Sequence, residues 1–541
     1  MDVPVFTLSN CSGSTERITE KCLQVIEKFQ NIYNQYPDFI SRSPGRVNII
    51  GEHIDYENFA VLPMAIERSI YCAVKVINDD FNPSITLYNN NSGLFAERMF
   101  GLPLDGSYVD IDPSISDWSN YFRCGLNVAQ KFLKHLNPNK YNNSPLLGLK
   151  VFVQGDIPHS GGLSSSAAFI CSVALLIIRA NMGPNYSISK NILSQITMSS
   201  EHYLGVSTGS MDQIVSINGL KDHLLYLQFR PIMKTTPIQF PFQNVQFIIA
   251  DTLVSSNKLE TASTNYNLRV IEDSIAANVL ASKFGLFIGK RTSTFKFINN
   301  NGNGNGFGNG HCNGGGHGDK GNLRDFMEAY CMRQRSKSWD GDINVGIEML
   351  QTMLEIIDQC FPNNRNQWVE GYTIDEVAQL LNISRNEIAS EYLTIYPVRF
   401  QTLKLYQRAK HVYSEALRVL RSVELLSNHE MNEFEFCSRF GELMNESQKS
   451  CELLYECSCE EIEEICTIAR LNGSIGSRLT GAGWGGSTIH MVPGGIEQGE
   501  RVKEALINNY YIRRYPHISK EELANAIIFT SPAMGSCIYE L

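Results

Sequence analysis

The stretch PHSGGLSSSAAF, residues 158–169, sets two glycines and three consecutive serines between a proline turn and a long apolar run. A strand-like segment, LLGLKVFVQ (146–154), precedes it and ends near Asp156, and a helical pattern starts near Leu163. Glycines let a backbone approach a ligand closely. A helix N-terminus presents unpaired N–H groups at the positive end of its dipole. That combination suits phosphate, and the serine hydroxyls add hydrogen bonds or a Mg²⁺ ligand. The loop is not a Walker A loop, because no Lys-Ser/Thr follows the glycines. A serine N-cap on a core helix is the plainer reading of the same residues, and the stretch alone does not choose between them.

The rest of the chain narrows the choice. Its 541 residues exceed what one core holds, so two domains are expected. Hydrophobic residues make up 43% and charged residues 19%, an ordinary globular composition. A net charge of −10 with no dense Lys/Arg block argues against nucleic-acid binding. The start, MDVPVFTLSN, lacks a basic region followed by an apolar one, so no signal peptide is expected. The longest apolar run, 167–178, is too short to span a bilayer and contains Ser172, so no membrane association is expected. The 14 cysteines form no CxxC pair, and CSC at 457–459 is too tight for a zinc half-site. They read as free thiols of a cytoplasmic protein.

Residues 18–33 show an amphipathic helical pattern, and residues 188–204 also read as a helix. IYCAVKVI (70–77) and VQFIIADT (245–252) read as strands. Three prolines within 229–244 suggest a boundary there, giving domains of 1–240 and 241–541. The second half is mostly helical. Thr373-x-x-Glu376 and Ser384-x-x-Glu387 are successive capping boxes that open a helix pair, and the region is not basic enough for a DNA-binding helix-turn-helix. Leu405, Ala409, Val412, Ala416 and Leu420 form a core stripe. Residues 299–322 are almost all Asn and Gly, which cannot bury enough surface to offset ordering entropy. A disordered insertion is expected there, and its His311, Cys312 and His317 read as solvated.

Two further motifs carry glycines. SPGRVNIIGEHIDY (43–56) crowds Arg46, Glu52, His53 and Asp55 around an apolar VNII strand. A fan of such groups suits a polyhydroxylated ligand, although a solvated turn reads the same way. GSRLTGAGWGGSTIH (476–490) implies close backbone approach, positive φ, or a tight turn between core strands.

Taken in order, the three motifs resemble the signatures of the GHMP kinases, and GRVNIIGEHIDY resembles the form seen in the galactokinase branch. The likeness runs over nearly the whole chain. LYQRAKHVYSEALRVL, GELMNESQKSCELLYECSC and GSCIYEL look most like fungal-type members, with the N-acetylgalactosamine kinases close by. The Asn/Gly insertion departs from the family pattern.

The resemblance implies an α+β, two-domain GHMP kinase fold with an N-terminal α/β domain, a C-terminal α+β domain and the active site in the interdomain cleft. It implies ATP-dependent phosphorylation of the anomeric 1-hydroxyl of galactose by a monomer that uses Mg²⁺. Asp212, in STGSMDQIVS, matches the catalytic aspartate, the general base toward the sugar hydroxyl. Arg46 would hold that carboxylate ionised and stabilise developing charge. With Arg46 and Asp212, the positions Glu52, His53, Asp55, Gly209 and Tyr266 match the sugar side. Ser160, Gly161, Gly162, Leu163, Ser164, Ser165 and Ser166 match the phosphate loop, Asn257 and Lys258 match nucleotide contacts, and Ser166 and Glu201 resemble the Mg²⁺ ligands. The glycines of 476–490 are expected to pack against the sugar and phosphate-loop side. Two rival functions are an N-acetylgalactosamine kinase and a non-catalytic galactose and ATP sensor that regulates transcription. The sensors tend to show a shortened serine segment, and here GLSSSAA is complete.

Overall fold

In a computed structural model of the chain, the described residues are 1–8, 16–79, 81–112, 115, 117–158, 161–198, 200, 203, 209–254, 261, 263–288, 320–335, 338–361, 369–393 and 398–541. The strand β2 (Phe39–Ile50) is buried along its whole length although it carries Ser41, Arg42, Ser43 and Arg46. It lies inside a seven-stranded sheet of order β1-β13-β2-β3-β6-β4-β5, formed by β1 (Val5–Thr7), β3 (Leu62–Ile77), β4 (Ser84–Asn89), β5 (Arg98–Gly101), β6 (Gly148–Gly155) and β13 (Cys537–Glu540). Both faces of the central strands are covered, which is why they read as apolar runs and not as alternation. The Glu16–Tyr33 helix lays Ile18, Cys22, Val25 and Phe29 on Ile40, Tyr71, Ala73 and Phe152. The Ser165–Met182 helix packs on β2 and β3 from the other side, where the Ser41 hydroxyl donates to Ser172 O at 2.9 Å. By length and composition this helix could cross a membrane. Instead, 83% of it is buried, between the sheet and the Ser119–Leu136 helix, as an all-round apolar helix of a large core should be.

A second sheet of order β10-β11-β9-β12 is antiparallel throughout and uses β9 (Val245–Asp251), β10 (Gly476–Thr480), β11 (Ser487–Pro493) and β12 (Ile527–Thr530). Ile248, Ala250 and Val492 bury its outer face under Ile465, Ala469, Val502, Leu506 and Tyr510. After β12 the chain returns, and β13 inserts between β1 and β2 in the first sheet.

Several local expectations hold. Both capping boxes form, and Ser519 with Glu522 makes a third. The stripe from Leu405 to Leu420 is buried, and the twelve described cysteines are free. The three-proline stretch, where a boundary is expected, holds β8 (Lys234–Gln239), which pairs with β7 (His223–Gln228). One expectation is corrected. The helix expected over 188–204 is Lys190–Thr197, capped by the Ser189 side chain accepting from Ile192 N–H. Most of the insertion, 299–319, lies outside the described residues.

Candidate active site

The site begins at an irregularity in β2. Its register with β3 shifts between Pro44 and Arg46, and here the strand meets the loop of 158–169. Arg46 N–H donates to Leu163 O at 3.1 Å and its Nη1 donates to Gly162 O at 2.9 Å. The same guanidinium turns its Nε to Asp212 Oδ1 at 2.6 Å. Asp212 sits in the first turn of the Met211–Asn218 helix, and the Ser164 hydroxyl donates to its other oxygen at 2.5 Å. Glycine-serine loop, arginine and carboxylate are therefore one bonded unit. Burial by itself would lower the Arg46 pKa, but the Asp212, Glu52 and Asp55 carboxylates raise it, so the guanidinium stays charged.

This geometry gives Ser164 a role. Ser164 takes a left-handed backbone (φ 62°) and makes no side-chain cap for the helix that starts at Ser165. Its hydroxyl is committed to Asp212, so the N-cap reading fails and Ser164 belongs to the carboxylate as much as to the loop. The loop rests on the second sheet. A Cβ on Gly161 would stand 3.1 Å from both Asp251 Oδ2 and Ser487 Oγ, and Ser487 Oγ is buried without a hydrogen-bond partner. Gly481 (φ +88°) comes so close that a Cβ would lie 2.6 Å from Gly162 O. Gly481 and Gly486 thus pack on the loop, as expected from the sequence, whereas Gly476, Gly483 and Gly485 pack on Gly441, Cys457 and Val254.

On the other side of Arg46 the chain leaves β2 through Gly51 and folds back. Both oxygens of Glu52 are engaged. Oε2 accepts from Arg478 Nη1 at 2.8 Å, and Oε1 accepts from Gly481 N–H at 2.9 Å. Burial pushes the Glu52 carboxyl up against the pull of Arg478 and Arg46. His53 places Nε2 2.9 Å from Ala482 O and Nδ1 3.2 Å from Tyr56 Oη. The rings of Tyr266, Tyr455 and Trp484 surround it, with centroids at 5.3, 4.9 and 5.5 Å. Asp55 Oδ2 accepts from Met211 N–H at 3.4 Å. Burial, with the Asp212 charge beside it, pushes the Asp55 carboxyl up to about 6. That carboxylate fills the place of a side chain at 209, where a Cβ would stand 1.6 Å from Asp55 Oδ2.

The structure thus brings together Arg46, Glu52, His53, Asp55, Gly209, Asp212 and Tyr266 with Gly161, Gly162, Leu163 and Ser164. Ser165 and Ser166 open the adjoining helix. Ser160, Glu201, Asn257 and Lys258 lie outside the described residues. Among the described residues no group of three or more His, Cys, Asp or Glu side chains could hold a metal.

Some residues of this region carry no obvious mark in the sequence. Arg478 and Glu415 back Glu52, and Glu415 accepts from Gly51 N–H at 2.8 Å. Tyr455 and Asp273 stand behind Tyr56. Arg478 had a signal, a lone charge in an otherwise uncharged glycine-bearing strand. Glu415, Tyr455 and Asp273 had none.

A glycine-serine loop at a helix N-terminus, an arginine-held carboxylate beside it and a second sheet sealing the loop define a small-molecule kinase of the GHMP type. Residues 120–220 match the family model "GHMP kinases N terminal domain", residues 435–512 match "GHMP kinases C terminal", and residues 27–76 match "Galactokinase galactose-binding signature". The chain is 54% identical to a galactokinase of Saccharomyces cerevisiae, covering 100% of this chain and 98% of that one. It is 42% identical to a galactokinase of Candida albicans, covering 99% of each. The crystal structure of Lactococcus lactis galactokinase complexed with galactose superposes with a TM-score of 0.62 at 18% identity, over 95% of this chain and 99% of that one, which shows the shared fold. The chain belongs to the galactokinase family of the GHMP kinases.

Proposed function

We propose that the protein transfers the γ-phosphoryl group of ATP to the anomeric 1-hydroxyl of galactose, giving galactose 1-phosphate and ADP. The observation that carries this reading is Asp212 held between Arg46 Nε and the Ser164 hydroxyl, at the lip of the Gly161–Gly162 loop. Each donor takes one lone-pair site of the carboxylate and leaves others for a substrate hydroxyl. Asp212 orients that hydroxyl and takes its proton as the oxygen takes the phosphoryl group. Arg46 offsets the charge that develops between them. The loop and the first turn of the Ser165–Met182 helix would cradle the ATP phosphates, and the family resemblance adds Asn257 and Lys258 as nucleotide contacts. Glu52, His53, Asp55, Gly209 and Tyr266 shape the sugar side, Glu52 chiefly by clamping 43–56 onto 476–490.

Mg²⁺ fits this donor set, because a first-turn serine hydroxyl, one carboxylate and phosphate oxygens are its usual ligands. Ser166 and Glu201 would hold it, and it would neutralise phosphate charge during transfer. We also propose two domains, 1–240 and 241–541, with β13 returning to the first and the site in the cleft between them. Free, mostly buried cysteines suit a reducing compartment, and we propose a cytoplasmic monomer without nucleic-acid or membrane partners.

Initial rates on galactose, N-acetylgalactosamine and glucose at saturating ATP and Mg²⁺ test the reading. We expect kcat/KM for galactose to exceed that for N-acetylgalactosamine by about tenfold or more, and glucose to be poor, because its inverted C4 hydroxyl leaves a site group unpaired. A preference for the N-acetyl sugar would replace galactose in the reading. Binding without turnover would make the protein a sensor.

Two variants probe the sugar side. Gly209→Ala is expected to raise the galactose KM about 10–100-fold while the ATP KM changes less than about twofold, because the new methyl evicts the Asp55 carboxylate. An unchanged galactose KM would remove Asp55 from the site. Asp55 must also be ionised to accept sugar hydroxyls. With burial and the Asp212 charge pushing its carboxyl up to about 6, kcat/KM for galactose is expected to fall about tenfold per unit below about pH 6. Asp55→Asn, slower at all pH, is expected to lose that limb, and a limb that persists in it belongs to another group.

A further inference from the structure

Behind His53, four hydrogen bonds run in series and require more protons than their residues ordinarily supply. Ala482 O can only accept, so His53 Nε2 carries a proton toward it at 2.9 Å. His53 Nδ1 meets Tyr56 Oη at 3.2 Å, Tyr56 Oη is hydrogen-bonded to Tyr455 Oη, and Tyr455 Oη lies 2.6 Å from Asp273 Oδ2. Four bonds need four protons. A neutral histidine, two tyrosines and an aspartate carboxylate supply three. The fourth rests on either the His53 ring or the Asp273 carboxyl.

The surroundings of Asp273 favour the carboxyl. It is fully buried on the Tyr266–Lys283 helix, and its Oδ1 has no hydrogen-bond partner. Among the described residues it makes no ion pair, so a carboxylate there would be a buried charge without compensation. The charged and titratable groups acting on it are Glu57 and Tyr56 from the chain beyond β2, Glu272 on its own helix, Arg408 and Tyr413 from the Leu405–Leu426 helix, and Tyr455. Arg408 is committed to Glu272 and Glu456, at 2.7 Å each. Glu57 and Glu272 add negative charge. Burial first, then Glu57, drive the Asp273 carboxyl well above the usual range.

We infer that Asp273 is a protonated carboxyl donating to Tyr455, and that Asp273 and Tyr455 are positioning residues that fix His53 in its Nε2–H form against Ala482. All four bonds then point one way, from Asp273 through Tyr455 and Tyr56 to His53 and on to the turn between Gly481 and Gly483. His53 cannot flip its ring without breaking this series, and it cannot take a second proton while Asp273 keeps its own. The inference rests on the reading of His53 as a wall of the sugar site, but its protonation part does not.

Three measurements test it. Urea unfolding of the wild type and of Asp273→Asn from about pH 6 to about pH 9 reads whether the folded series holds the fourth proton. An infrared C=O stretch of a protonated carboxyl that is lost in Asp273→Asn places it on Asp273, whereas its absence from the wild type places it on His53 and overturns the inference. Folded Asp273 keeps a proton that the unfolded chain, with an ordinary value of 3.8, releases. The folded state therefore binds one proton more, and stability falls as pH rises. The wild-type unfolding constant should rise about tenfold per pH unit relative to Asp273→Asn. Parallel pH dependences would overturn the protonated carboxyl, whatever the sugar preference proves to be. The third measurement is kinetic. Asp273→Leu and Tyr455→Phe cut the series and should raise the galactose KM about tenfold, with the ATP KM changed less than about twofold. Asp273→Asn, whose amide N–H also donates to Tyr455, should recover most of that loss. An Asn variant no better than the Leu variant, or an unmoved galactose KM in all three, would overturn the positioning role.

Discussion

Asp212→Asn is expected to lower kcat by about three orders of magnitude, with galactose affinity within a few-fold of the wild type. The substitution keeps size and planarity. An amide oxygen can still accept from the Ser164 hydroxyl, so the carboxamide stays in place. What is lost is the proton acceptor and the negative charge facing Arg46 Nε at 2.6 Å. Arg46 is almost wholly buried, and leaving it without its closest anion also costs stability, about 3 kcal/mol as an upper figure because Asp212 keeps some solvent contact. Turnover and stability therefore need separate measurement. Single-turnover rates at saturating ATP and galactose give the chemical step, and urea unfolding gives the fold. A variant with near-normal single-turnover rate would remove Asp212 as the base. A variant that turns over slowly only above its own unfolding midpoint would make the effect structural.

The sequence showed the parts of this site better than their joins. The three glycine-bearing motifs were legible because close backbone approach requires glycine at fixed spacings, and Gly161, Gly162 and Gly481 do meet. The amphipathic 16–33 helix, the capping boxes and the 405–420 stripe were legible because their signals are local. The Arg46–Asp212 pair is different. Its members are 166 positions apart, and only the family resemblance singled Asp212 out from 56 acidic residues. The link of Ser164 to Asp212 depends on a left-handed residue, which a serine run does not announce. The hydrogen bonds behind His53 join residues up to 429 positions apart, and no periodicity marks them. The return of β13 to the first sheet was also invisible, since a short apolar C-terminal strand says nothing about its neighbours.

Arg478→Met should cost about 3–5 kcal/mol of stability at neutral pH. Arg478 is fully buried between the two halves of the site. Nη1 donates to Glu52 Oε2 at 2.8 Å and to Asn48 O at 3.0 Å, and Nε donates to Ser447 Oγ at 3.1 Å. Glu415 lies 4.0 Å from Nη2 and accepts from Ser447, Arg418 and the Gly51 N–H. Burial would raise the Glu415 carboxyl, but Arg418 and Arg478 hold it down to about 2. Methionine fills much of the arginine's volume, so the cost is electrostatic and not a cavity. Glu52 is left as a buried carboxylate with one N–H donor, from Gly481. Its carboxyl, already raised by burial, should rise further above its unfolded value of 4.5. The folded variant then gains by binding a proton, so its deficit against the wild type should shrink as pH falls toward about 5. Adding Glu52→Gln removes the stranded charge, and the double variant should regain most of the lost stability, though the clamp between 43–56 and 476–490 stays weak and the galactose KM stays high. Urea unfolding of the two single variants and the double variant checks this at two pH values. Equal losses in Arg478→Met with and without Glu52→Gln would show that the Glu52 charge is not what Arg478 neutralises.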